Sequence, residues 1–206
     1  MPRKPSRHLT KRLLYHERKL RSRGYSRIAG VDEAGRGPLA GPVVAASVIL
    51  KTFTFNEIIF DSKKLSPARR ERAYREILDK SHVGVGIVDE KTIDRINIFN
   101  ATRSAMELSI ADLGIVPDYV MIDGTMQIIV EAPRRCIKRG DTLSMSIAAA
   151  SIVAKVTRDR LMVEYDRKYP QYGFSKHKGY GTKRHLEALR VHGPCLIHRL
   201  TFRGTT

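Results

Sequence analysis

Cysteine is scarce, Cys136 and Cys195 being the only two in 206 residues. They match no metal-ligand spacing and are too few for a disulfide framework, so both read as core thiols in a reducing cytosol. Long apolar runs are lacking as well. The longest, residues 42–50 and 147–154, fall well short of the roughly 20 residues that cross a bilayer. The basic N-terminal stretch has no apolar segment of the secretory kind, so neither membrane insertion nor export is expected. Internal repeats and low-complexity tracts are also missing, which argues against a solenoid or a disordered linker.

Acids are in short supply: 21 Asp and Glu stand against 38 Lys and Arg, for a net charge of +17. Such a field concentrates polyanions, nucleic acid first, although it fits a ribosome-associated protein and does not say whether anything is cut. The excess is lopsided. Residues 1–27 hold ten of the basic residues against a single acid, Glu17. Thr10 can cap a helix over residues 11–23 that stops at Gly24, with Leu13, Leu14 and Leu20 as its apolar side. A solvated basic arm over residues 1–26 fits this stretch equally well, followed by one domain over residues 27–206. A hydrophobic share of 42% and a charged share of 29% belong to an ordinary globular chain.

From Arg27 onward the pattern turns β-like. Ile28-Ala29-Gly30-Val31-Asp32 reads as a strand, residues 33–41 as a Gly/Pro-rich turn and residues 43–50 as a second strand, together a hairpin. A helix with Pro67 in its first turn runs to Leu78, and residues 83–88 give a third strand. A helix is expected around residues 101–113, strand pieces at 119–122, 127–130 and 136–137, and a long helix over 142–168 that is apolar nearly all round at 147–154. Residues 171–206 hold a Gly- and Lys-rich loop, a helix at 182–191 and an irregular tail. Strands interleaved with helices predict an α/β layer structure around one mixed sheet.

Four acids stand near the ends of these elements. If Val31 faces the core, the strand period of two turns Asp32 to the opposite face, and Glu33 falls where the strand opens toward Gly35-Arg36-Gly37. Asp123 closes an apolar run, and Asp141 precedes the long helix. Each has an ordinary explanation as a solvated strand end, a turn residue or a helix cap. Brought together, four carboxylates would suit hard divalent cations and phosphodiester hydrolysis. His177, His185 and His198 are candidate bases, but hydroxide generated at a metal needs no imidazole, and His177 reads better as a residue shaping the loop that holds Tyr180. Lys155, Arg158 and Arg160 on the long helix could face nucleic acid, but at least two of them read as a solvated or ion-paired face.

The stretch Ala29-Gly30-Val31-Asp32-Glu33-Ala34-Gly35-Arg36-Gly37-Pro38-Leu39-Ala40-Gly41-Pro42-Val43-Val44-Ala45-Ala46 resembles the opening signature of the ribonuclease HII family. Asp61-Ser62-Lys63-Lys64-Leu65-Ser66, Asp123-Gly124, Gly140-Asp141, residues 146–160 and His177-Lys178-Gly179-Tyr180-Gly181-Thr182 resemble its later blocks, in order. The resemblance spans roughly residues 27–203. It implies a ribonuclease H-like mixed five-stranded sheet flanked by helices, with a helical C-terminal extension from about residue 170. It implies that Asp32, Glu33, Asp123 and Asp141 are catalytic and hold two Mg2+ or Mn2+ ions. It further implies that the Gly35-Arg36-Gly37 backbone contacts a ribose 2′-OH and that Tyr180 packs on the next sugar. The substrates so implied are RNA–DNA hybrids and duplex DNA containing ribonucleotides; a monomer is the default expectation, and the cysteine usage points to the cytoplasm. Asp141, where the related type 3 enzymes carry a glutamate, favours type 2. The rival readings are a non-catalytic basic nucleic-acid-binding protein and another nuclease or recombinase of the same fold.

Overall fold

A computed structural model describes residues 12–205. Strands β1 (Ile28–Ala34) and β2 (Val43–Leu50) form the expected antiparallel hairpin, and β3 (Ser81–Val88) extends it antiparallel along β2. On the other side β4 (Tyr119–Asp123) pairs parallel with β1, and β5 (Arg134–Ile137) parallel with β4. The result is the mixed five-stranded sheet, in the order β3-β2-β1-β4-β5. No described helix is long and apolar enough to cross a membrane.

Both faces of the sheet are covered. Ala46, Val48 and Leu50 of β2 pack with helix α2 (Pro67–Lys80) and the long α4 (Met145–Lys168). Ala29, Val31, Val43 and Ala45 point the other way, into a cluster closed by α3 (Glu90–Ala111). Because neighbours alternate along β1, Asp32 lies on the α4 face. Helix α4 runs very close to β1: a Cβ on Gly30 would collide with the Ser146 backbone, so only glycine allows this approach.

Three expectations about the elements change. Helix α3 begins at Glu90 rather than near residue 101, because the Asp89 side chain accepts Thr92 N–H at 2.7 Å and starts it early. The run Ile96-Asn97-Ile98-Phe99-Asn100 blurs its period, and Asn97, at φ 64°, marks a kink. Residues 127–130 form no strand, and their Ile129 N–H is bound by the Glu107 carboxylate instead. The long helix starts at Met145, after a separate 3-10 turn, Gly140–Thr142. Its cap is Ser144, whose side chain accepts Ile147 N–H at 3.2 Å.

The basic N-terminal stretch is in part a packed element. Thr10 lies outside the described residues, but helix α1 (Tyr15–Arg21) lies on the body. Leu13 and Leu14 join the core beneath α4, and Leu20 packs with Ile28, Met121, Ile137 and Ile147. Glu17 is 1% exposed. Its Oε1 accepts from Ser144 Oγ, Ser146 N and Ser146 Oγ at 2.7, 3.0 and 3.0 Å, capping α4 from a distant part of the chain. Deleting residues 1–24 removes three buried leucines and this cap. The expected cost is roughly 5 kcal/mol, or a Tm lower by roughly 10 °C or more. Thermal melts of the full-length and shortened chains check this, and an unchanged Tm would mean that α1 adds nothing to the fold.

Two short helices, α5 (Phe174–His177) and α6 (Lys183–His192), form the C-terminal extension. Tyr172, Phe174, Ala188, Leu189 and Ile197 pack there with Leu39, Ala40 and Met162, so the extension sits on the turn that follows β1.

Candidate active site

Asp32 and Asp123 meet because β1 and β4 are parallel neighbours. Val31 pairs with Ile122, and the next residue on each strand is an aspartate. Asp141 arrives on the 3-10 turn after β5, where Gly140 N–H donates to Asp123 Oδ1 at 2.6 Å. Glu33 follows Asp32 at the strand's opening, its carboxylate 3.4 Å from the Arg36 guanidinium. All four line one cleft of about 410 Å3, together with Gly35, Arg36, Gly37 and Tyr180.

The electrostatics of this cleft are those of crowded carboxylates. Burial pushes the Asp32 carboxyl well above its ordinary range, and the neighbouring Glu33 and Asp123 push it the same way. Burial also raises Glu33, against the pull of Arg36, and raises Asp141, helped by Asp123 and Asp61. Among the described residues no three such side chains already stand in a ready-made coordination sphere. The donor set is nonetheless all oxygen, negative and partly buried, which suits a hard divalent cation better than any neutral ligand.

The turn beside the acids is shaped from behind by two arginines. Arg158 is 1% exposed and donates to Pro42 O, Lys178 O and Ala40 O at 2.9, 3.0 and 3.0 Å. Arg199 is fully buried and donates to Gly35 O at 2.7 Å, Arg36 O at 3.1 Å, Pro38 O at 2.9 Å and twice to Gly41 O. Gly35 has φ +99°, and a Cβ there would collide with the Arg158 side chain. Tyr180 is 46% exposed, with its ring 3.7 Å from where a Cβ on Gly37 would lie. The Gly35–Gly37 backbone and the Tyr180 ring are therefore side by side.

Sequence reasoning passed over several of these residues. The expectation that at least two of Lys155, Arg158 and Arg160 form an ion-paired helix face is met by Lys155, paired with Asp159 at 2.8 Å, and Arg160, paired with Glu71 at 2.6 Å. Arg158 instead points inward. Ser151, one turn of α4 before Lys155, lies 3.0 Å from Ser62 Oγ, and its hydroxyl eases the charged form of the Asp32 carboxyl. Arg199 carried no signal at all, being one arginine in an irregular tail.

The sheet order and the acid-lined cleft at the ends of β1 and β4 define a hydrolase of the ribonuclease H-like class. The chain matches the family described as ribonuclease HII over residues 29–205. It is 55% identical over 188 residues to a ribonuclease HII of Acetivibrio thermocellus, covering 91% of this chain and 73% of that one. It is 54% identical over 193 residues to that of Geotalea daltonii, covering 93% and 89%. Among solved structures, the ribonuclease H2 of Pyrococcus horikoshii superposes with a TM-score of 0.75 at 27% identity, over 87% of this chain and 95% of that one. The chain belongs to the ribonuclease HII family and is an endoribonuclease.

Proposed function

We propose that the enzyme hydrolyses the RNA strand of RNA–DNA hybrids and incises on the 5′ side of single ribonucleotides in duplex DNA, leaving 5′-phosphate and 3′-hydroxyl ends. The observation that carries this reading is that the four carboxylates, the Gly35-Arg36-Gly37 turn and Tyr180 share one cleft. Asp32, Glu33, Asp123 and Asp141 would hold two divalent cations, Mg2+ or Mn2+. When bound, these supply an activated water and neutralise charge on the leaving oxygen.

The chain's own contribution is to place the substrate. Backbone groups of the Gly35–Gly37 turn are held rigid by Arg199 and sit next to Asp32-Glu33, so contact with a 2′-OH fixes the adjoining phosphate over the acids. The exposed Tyr180 ring packs on the following sugar, where a second 2′-OH would crowd it. Duplex affinity has a source outside the cleft too. Arg135 lies two residues before Ile137, the partner of Asp123, and so shares the face of the carboxylates. With Lys19 and Arg23 it lines a small basic cleft suited to backbone phosphates.

Duplexes carrying ribose, deoxyribose or 2′-O-methyl ribose at one position, incubated with and without Mg2+, test the reading. Only the ribose duplex should be cut, and only with metal, because a site left with an unmet hydrogen bond discriminates sharply. Equal cutting of the ribose and deoxyribose duplexes would sink it. Tyr180→Ala should slow incision roughly tenfold or more, whereas Tyr180→Phe, which keeps the ring, should stay much closer to the parent. Equal rates for the two variants would remove the ring from the account.

A further inference from the structure

Behind Tyr180 three histidines form a cluster that the chemistry above does not use. His177 and His185 stack with ring centroids 4.5 Å apart, and His198 stands beside His185, with both buried among Tyr172 and Phe174. Their hydrogen bonds leave each ring a single tautomer. The Cys195 N–H points at His198 Nδ1 from 2.9 Å, so that nitrogen accepts; the Cys195 carbonyl, at 3.3 Å, is the weaker contact. His198 therefore carries its proton on Nε2, which lies 3.0 Å from His185 Nε2. His185 Nε2 must then accept, which puts its proton on Nδ1, aimed at Tyr180 O 3.0 Å away.

His177 adds a parallel tie. Its Nδ1 accepts Gly179 N–H at 3.2 Å and its Nε2 donates to Tyr172 O at 2.9 Å. The next carbonyl in this loop, Gly179 O, accepts Leu39 N–H at 2.8 Å, which joins the Tyr180 loop to the turn that ends in Gly41. The direction of proton donation is thus continuous, from Cys195 through His198 and His185 to the main chain of Tyr180. Every ring must be neutral for this to hold, since a second proton on His185 or His198 would set N–H against N–H. Burial favours that state: it lowers all three imidazoles, and His198 most, to about 4.

We propose that His185 and His198 are positioning residues for Tyr180, their hydrogen-bond chain holding the Tyr180 backbone so that its ring stays over Gly37 and the substrate sugar. The proposal rests on the reading of Tyr180 given above. His198→Phe, which keeps a ring of similar size but cannot donate, should slow incision of a single-ribonucleotide duplex about tenfold, the loss of one hydrogen bond. His198→Gln, whose amide can replace the Nε2 donor, should recover most of that rate.

The decisive comparison places His198→Phe in a Tyr180→Ala background, where it should have almost no further effect on cleavage because the residue it positions has gone. The same tenfold loss in both backgrounds would overturn the proposal and leave His198 a purely structural residue. If Tyr180→Ala alone left cleavage unchanged, the reading of Tyr180 would fall first and the proposal with it, so the two failures are told apart. Nitrogen NMR of the full-length wild-type chain keeps the idea falsifiable even where His198→Phe fails to fold. Protonated Nδ1 on His185 and protonated Nε2 on His198 are expected, and the opposite tautomer on either ring overturns the chain.

Discussion

Asp32→Asn should reduce kcat by a thousandfold or more and yet raise the Tm of the metal-free protein. The two effects have one cause. Asp32 is 6% exposed and its charged form is disfavoured by burial and by Glu33 and Asp123 beside it. Asparagine has the same shape, keeps an oxygen to accept Glu33 N–H as Asp32 Oδ1 does at 2.8 Å, and removes the repulsion. A gain of about 1 kcal/mol, or roughly 2–4 °C, is expected in a chelator. In Mg2+ the order reverses, because the parent gains stability by binding the ion and the variant gains far less. Asp123→Asn should lose activity to a similar degree. Melts with and without Mg2+, alongside single-turnover cleavage, check both variants. Near-normal Mg2+-dependent cutting by either would take that residue out of the ligand set.

Arg199→Lys should cost roughly 3–5 kcal/mol and slow cleavage by a hundredfold or more, although it conserves charge. The guanidinium lies wholly inside the protein with no carboxylate bonded to it among the described residues, and burial together with the nearby Arg158 lowers its pKa to about 9. It is kept there by the carbonyls of Gly35, Arg36, Pro38 and Gly41. A planar fork of five donors can reach four carbonyls spread around a turn, whereas an ammonium on a flexible stem cannot. The lysine variant leaves some of them buried without a donor, and the turn that should meet the 2′-OH loosens. A melt read beside single-turnover rates gives both numbers. Unchanged values would show that the turn holds its shape without the clamp.

Much of the site's local geometry is legible in the sequence. The two-residue period of β1 puts Asp32 opposite Val31, and Asp123 does end β4. Their meeting is not legible, because a parallel pairing between strands about 90 residues apart leaves no periodic trace, and sheet order cannot be read from spacing. Arg158 was hidden for a different reason. Residues 147–154 are apolar nearly all round, so α4 offers no single buried stripe against which to judge the polar residues after it. A finer signal did exist: Ser151, Lys155 and Arg158 follow one another at helical spacing along one side, and Ser151 faces Asp32. Asp61, which reaches Asp141 electrostatically, stands before Ser62-Lys63-Lys64 with nothing in its spacing to join it to the other acids.

The arginine clamp also sets an order of assembly. Carboxylates at 32 and 33 are in place once β1 pairs with β2, a contact between near neighbours in the chain. The turn beside them takes its shape only when Arg199, about 160 residues later, has docked beneath it. Contacts across such separations close late, after the loop entropy between them has been overcome. On this separation Asp32 and Glu33 are expected to be seated before the turn beside them is fixed, so any selectivity for ribose that the turn carries is expected to mature after the hairpin.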